Sequence, residues 1–150
     1  MILFRFVLMA VIMCAFFAPN VSYAADSIPF IKKNDFKDTQ IKNLLSEQDF
    51  NKIAAIDLNE DSIDEYVLER DFKGALRAYE LLALIDEQLI PLGIIRAEKL
   101  MLAYDQQHGV RSILSFKDAN NDYEYEVYAW DAMRSRYSNI KDIETSGGAE

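Results

Sequence analysis

The single cysteine most constrains this chain, because of where it lies. Cys14 sits inside an almost unbroken apolar run from Phe6 to Ala18. That run is short for a bilayer span and has the length of the hydrophobic segment of a secretory signal. Pro19 and Asn20 end it, and Val21-Ser22-Tyr23-Ala24 places small residues, Ser22 and Ala24, where a signal peptidase reads. Residues 1–24 are therefore expected to be a signal peptide, cleaved after Ala24 with Ala25 as the adjacent alternative. Arg5 is the only charged side chain before the run, and a retained N-terminal anchor is the competing reading. Met13 precedes Cys14 where a lipoprotein signal needs a small residue, so the cysteine is expected to leave with the signal. The chain beyond Ala24 has no thiol, which excludes disulfides, a thiolate nucleophile and cysteine metal sites there. An exported domain of this kind has to be held together by its packing.

About 125 residues remain, the length of one domain. The expected organisation is a single globular domain over 25–143 with a flexible tail, 144–150. Hydrophobic residues make up 51% of the chain, with 8 Tyr and 9 Phe, enough to build a core. The net charge of -9 becomes -10 once Arg5 is removed. Such a surface repels phosphate backbones and anionic lipid, which argues against nucleic acid and against membrane insertion after signal cleavage. Cations and basic proteins are the better-matched partners.

Asn34 or Asp35 can cap a helix, and Phe36, Ile41, Leu44 and Leu45 recur at helical spacing, which predicts one amphipathic helix over 35–48. Lys52 to Ile56 and Tyr66 to Leu68 read as strands on either side of an acidic loop. Residues 75–85 and 94–104 are helix formers by composition. The turn-like Asp86-Glu87-Gln88 and the Pro91–Gly93 interruption nevertheless favour strands at 76–85 and 89–104. Val110 to Phe116 reads as a strand, 118–122 as a turn, and Tyr123 to Trp130 as an alternating strand. In that alternation Tyr123, Tyr125, Val127 and Ala129 fall on one face, and Glu124, Glu126, Tyr128 and Trp130 on the other. Arg134 to Tyr137 supplies a last short strand. The expected fold class is α+β: an N-terminal amphipathic helix packed on a mostly antiparallel sheet.

The acidic loop carries the clearest chemistry. Counting Asp57 as position one, side-chain oxygens fall at one, three, five and nine (Asp57, Asn59, Asp61 and Glu65), and the Ile63 carbonyl can serve position seven. Calcium takes six to eight hard oxygen ligands, and alternate residues of a tight loop can turn such atoms inward. Asp57, Glu60, Asp61, Asp64 and Glu65 also repel one another, a cost that a divalent cation relieves. Leu68 stands where an EF-hand needs a bidentate acid, and a strand precedes the loop where an EF-hand has a helix.

Strand, Asp57-Leu58-Asn59-Glu60-Asp61 loop and strand instead resemble the FG-GAP repeat of integrin-alpha-like propellers and related small exported proteins. The likeness covers roughly residues 53–68. It implies a calcium-binding loop joining two antiparallel strands, with Asp57, Asn59, Asp61, Ile63 and Glu65 as ligands. A single copy cannot close a propeller, so only the local hairpin carries over. Ser62 occupies the position where that family has glycine, in a conformation that costs another residue about 1 kcal/mol.

Asp118, Asn120, Asp122 and Glu124 repeat the alternate-oxygen spacing, and ordinary turn chemistry accounts for them. His108, the only histidine, lies in a loop with no marked nucleophile beside it. There is no Gly-rich phosphate loop, HExxH or nucleophile elbow. Acid pairs such as Glu124 and Glu126 suit glycosidic chemistry in principle, but so acidic a chain supplies them by chance. Tyr128 and Trp130, beside carboxylates, suit recognition of a basic protein segment or a sugar unless they are covered as core. The function expected is that of a periplasmic or secreted, non-enzymatic binding or inhibitor-type protein with a calcium-stabilised acidic loop. A carboxylate-dependent hydrolase is the alternative, favoured by any cleft that groups acids around His108 or Trp130. A structural envelope component is the third reading and predicts neither cleft nor cation.

Overall fold

The computed structural model describes residues 25–146. The expected signal peptide, Cys14 included, and the last residues of the expected tail lie outside them. The described residues form ten strands and two short α-helices: β1 (Ala25–Ser27), β2 (Ile31–Lys32), α1 (Thr39–Leu44), β3 (Lys52–Ile56), β4 (Glu65–Asp71), β5 (Arg77–Ile85), β6 (Gln88–Ala97), β7 (Lys99–Gln107), β8 (Val110–Phe116), β9 (Tyr125–Asp131), β10 (Arg136–Asn139) and α2 (Ile140–Ser146). The strands make two five-stranded sheets, ordered β2-β3-β4-β5-β6 and β1-β7-β8-β9-β10, with every paired neighbour antiparallel.

The α+β expectation is therefore overturned: the protein is mostly β, and no amphipathic helix spans 35–48. Lys33–Asp35 make one turn of 3-10 helix, Phe36 is extended, and only Thr39–Leu44 are α-helical, capped by Asp38 Oδ1 accepting from Ile41 N at 3.1 Å. Phe36, Ile41, Leu45 and Phe50 pack on the β-sheet residues Ile53, Tyr66, Leu68 and Leu82. Those contacts satisfy the apolar side chains without a continuous helix. Periodicity at three and four marked residues that share a face, and the sheet beneath them decided how the backbone reaches it.

The middle of the chain is strand. Asp86 and Glu87 adopt positive φ (50° and 62°) and join β5 to β6 as a two-residue hairpin turn. Only Glu98 separates β6 from β7, so the chain passes there from one sheet to the other; the Glu98 amide donates to the Phe116 carbonyl at 2.8 Å. Both sheets supply the main core, with Val67, Leu81 and Ile95 from one and Leu100, Leu102, Ile113 and Tyr137 from the other. The β2–β6 sheet is covered on its second face by the α1 segment. That double covering explains why Tyr66-Val67-Leu68 reads as an unbroken apolar run.

At Gly93 (φ 144°) β6 comes close to β10: a Cβ there would lie 3.1 Å from the Tyr137 carbonyl oxygen. Pro91 is tolerated because β6 is an edge strand. On β9 the two alternating faces separate as read, and Tyr128 and Trp130 lie on the core side. Tyr128 and Trp130 pack against the main core, whereas Tyr125 and Val127 join Leu114 and Phe116 in a separate cluster and Tyr123 is exposed. Alternation tells which residues share a face. Apolar groups line both faces of β9, so it could not tell which face meets the opposite sheet.

Candidate functional site

The acidic loop runs from Asp57 to Asp64 between β3 and β4, which are antiparallel neighbours. Leu58 fixes its root. The Leu58 side chain is buried in the main core, its amide donates to Glu65 Oε2 at 2.8 Å, and its carbonyl accepts from the Arg111 amide of β8 at 2.8 Å. Beyond that anchor the loop closes on its own polar groups. The Asp57 carboxylate accepts from the amides of Asp61 (3.1 Å) and Ser62 (2.8 Å). Asn59 Oδ1 also accepts from Asp61 N at 3.1 Å, Asp61 Oδ1 accepts from Ile63 N at 2.8 Å, and Asn59 Nδ2 donates to Asp61 Oδ2 at 2.9 Å. Glu60 (φ 59°) and Ser62 (φ 68°) occupy the left-handed region. A serine thus holds the conformation that glycine adopts without steric penalty.

Glu65 begins β4 and is only 8% exposed. Burial pushes its carboxyl upward; the Leu58 N–H opposes that shift, and the negative charges of Asp61 and Asp57 add to it. The expected oxygen ligands fall into two groups: Asp57, Asn59, Asp61 and Ile63 in the exposed turn, and Glu65 buried at its base. Among the described residues no three His, Cys, Asp or Glu side chains gather as a metal-binding group. The donor set is still all oxygen, the chemistry calcium takes, so the loop fits that ion in ligand type.

A cavity of about 440 Å³ opens beside this loop, within the size range of small-molecule sites (roughly 300–1,000 Å³). Leu58, Ala83, Leu92, Val110, Trp130 and Tyr137 form its apolar wall, and Asn59, Asp61, Ile63, Glu65, Leu84, Ile85 and Asp86 complete the lining. Trp130 and Tyr137 are cross-strand neighbours whose rings meet edge-on, 5.9 Å between centroids at 74°. The Tyr137 hydroxyl donates to the Arg111 carbonyl at 2.8 Å. Burial, reinforced by the charge of Glu65, keeps this phenol protonated well above its ordinary range.

The structure thus brings together two features that lie far apart in the chain, the acidic loop and Trp130. Tyr128 does not join them. It lies half-buried against the core with its hydroxyl paired to Asn139, and it is not part of the cavity lining. His108 is an exposed turn residue at φ 53° beside Gly109. Glu126 pairs with Lys117 at 3.3 Å, and neither it nor Glu124 lines the cavity. Sequence reasoning missed Leu92, Val110, Tyr137 and Asp86. Asp86 read only as a turn residue and the others only as strand residues, because a cavity at the junction of two sheets has no local signature. No family model, no curated protein and no solved structure matches the chain.

Proposed function

We propose that this is an exported, periplasmic or secreted, non-enzymatic binding protein whose ligand site is the cavity between the acidic loop and Trp130. The observation that carries this reading is the meeting of an aromatic, largely apolar wall with a carboxylate rim in one concave site. Export rests on the apolar run to Ala18 and the small residues Ser22 and Ala24. Calcium is the ion proposed for the loop, in keeping with its FG-GAP-like spacing. Asp57, Asn59, Asp61, Ile63 and Glu65 would hold it, and it would supply charge compensation among the five acids of residues 57–65. The test uses Trp130, the only tryptophan in the chain. Its emission should respond to members of a panel of sugars, amines and blocked peptides, and Ala83→Leu, which fills the cavity, should remove the response without unfolding the protein. A flat titration across the panel counts against the reading.

A carboxylate-dependent hydrolase is the second reading. It is supported by the grouping of Asp61, Glu65 and Asp86 around Trp130 and by the upward shift of Glu65, the direction a general acid needs. Under that reading Glu65→Gln abolishes turnover of a glycoside or ester panel while leaving binding in place.

A further inference from the structure

We propose that the cavity recognises a cation carried on an apolar stem, an ammonium or guanidinium group on an alkyl chain. This inference rests on the reading of the cavity as a ligand site and specifies what enters it.

Charge is the first argument. Asp61, Glu65 and Asp86 line the cavity, and among the described residues no lysine or arginine does. Elsewhere the acids have found cations: Glu69 pairs with Lys52 at 3.3 Å, Glu80 with Arg70 at 2.5 Å, Asp131 with Arg134 at 3.1 Å, and Asp122 with Lys99 at 2.5 Å. Among the described residues none of the three cavity carboxylates has an ion-pair partner. A carboxylate as buried as Glu65 has lost much of its hydration, so a cation brought beside it restores interaction that burial removed. Asp57 and Glu60 lie in the same loop, so even a bound divalent ion would leave the mouth of the cavity net negative.

The wall is the second argument. Leu58, Leu92 and Val110 offer aliphatic surface for a stem, and Trp130 with Tyr137 offers aromatic surface that attracts cations, indole most strongly. Long basic side chains have this build, an apolar stem ending in a charged head. A sugar fits less well, because each hydroxyl needs donors as well as acceptors. The carboxylates here only accept, the Tyr137 hydroxyl already donates to the Arg111 carbonyl at 2.8 Å and Asn59 Nδ2 to Asp61 Oδ2 at 2.9 Å, so the side-chain donors left for hydroxyls are few: the Trp130 indole N–H and one Asn59 N–H.

The same chemistry can come from a free amine or from a basic side chain of a peptide, and the experiment separates them. Trp130 emission of the purified protein is followed during titration with hexylamine against hexanol, with a blocked tripeptide carrying a central arginine against its citrulline counterpart, and with glucose. The expected result is saturable change with the cationic member of at least one pair, about tenfold tighter than with its neutral counterpart. Hexylamine binding assigns a free amine, and binding by the arginine peptide alone assigns a peptide side chain. Asp86→Asn, in an exposed turn that tolerates asparagine, and Glu65→Gln should each weaken the cationic member about tenfold while leaving the neutral one unchanged. Neutral members or glucose binding as tightly as the cations overturns the inference and leaves the ligand site standing. No response to any probe overturns both.

Discussion

Two stretches of this chain place acids and amides at the same alternating positions, Asp57–Glu65 and Asp118–Glu124, and the fold treats them differently. In the second, between β8 and β9, charges meet cations: Asp122 pairs with Lys99 at 2.5 Å. Glu98, from the crossing between sheets, accepts from the Ala119 amide at 2.8 Å, and Asp118 Oδ1 accepts from Asn120 N at 2.8 Å. None of its residues has positive φ, and Tyr123 at its end is 96% exposed. In the first, Leu58 is locked into the core, Glu60 and Ser62 are left-handed, and the carboxylates of Asp61 and Glu65 face a cavity instead of a lysine. Spacing alone is therefore a statement about turn geometry. Whether the acids become a site depends on what the rest of the chain places opposite them.

The largest expected effect tests the anchoring of the two loops. Leu58→Ala should cost about 2–5 kcal/mol in urea unfolding, the range for truncating a fully buried leucine. Tyr123→Ala should stay within about 0.5 kcal/mol, as exposed positions do. Equal costs would break the comparison. Next is calcium. At about 10 mM, and for affinities of order 10⁻⁴–10⁻³ M, the protein should gain about 1.4–2.7 kcal/mol, read as a rise in melting temperature. Asp57→Ala and Asp61→Ala should abolish that rise, and Asp118→Ala and Asp122→Ala should leave it intact. A rise that survives in the first pair, or no rise at all, removes calcium from the loop.

A smaller effect concerns backbone strain. Ser62→Gly should stabilise the protein by up to about 1 kcal/mol in the same unfolding assay, since glycine meets no Cβ penalty at φ 68°. A neutral or destabilising result would mean that the loop is not strained at that residue. The smallest effect is in pH. The folded-state pKa of Glu65 lies above its ordinary value near 4.5, so between the two values the folded protein holds the extra proton. Stability contributed through this group therefore falls as pH rises through that window and is flat above it. Glu65→Gln keeps an acceptor for the Leu58 amide and removes the titration. Relative to the parent, its melting temperature should rise as pH increases above about 4.5 and then level off. A difference that stays constant as pH increases would show that Glu65 does not titrate upward.

Much of the strand architecture was legible locally. Lys52–Ile56 and Val110–Phe116 are strands as read, and the Asp86-Glu87 turn separated two strands despite a helix-forming composition. Turn residues act on their nearest neighbours, so their signal survives whatever the tertiary context. The helix expected over 35–48 failed for the opposite reason: helical spacing of Phe36, Ile41 and Leu45 recorded a shared burial face, which a mostly extended segment lying on a sheet also satisfies. The orientation of β9 stayed open because a strand apolar on both faces does not encode which face is inward.

By itself the sequence determined a thiol-free region after Cys14, an acidic surface, the positions of several strands and the oxygen-rich spacing at 57–65. Each is a property of residues adjacent or nearly adjacent in the chain. Only the tertiary structure decided that the chain crosses between sheets at Glu98, that Tyr137 and Trp130 stand side by side, and that their cavity opens next to Asp61 and Glu65. Those outcomes depend on burial and charge shared by strands distant in sequence, where the core favours one arrangement over the many that local preference permits.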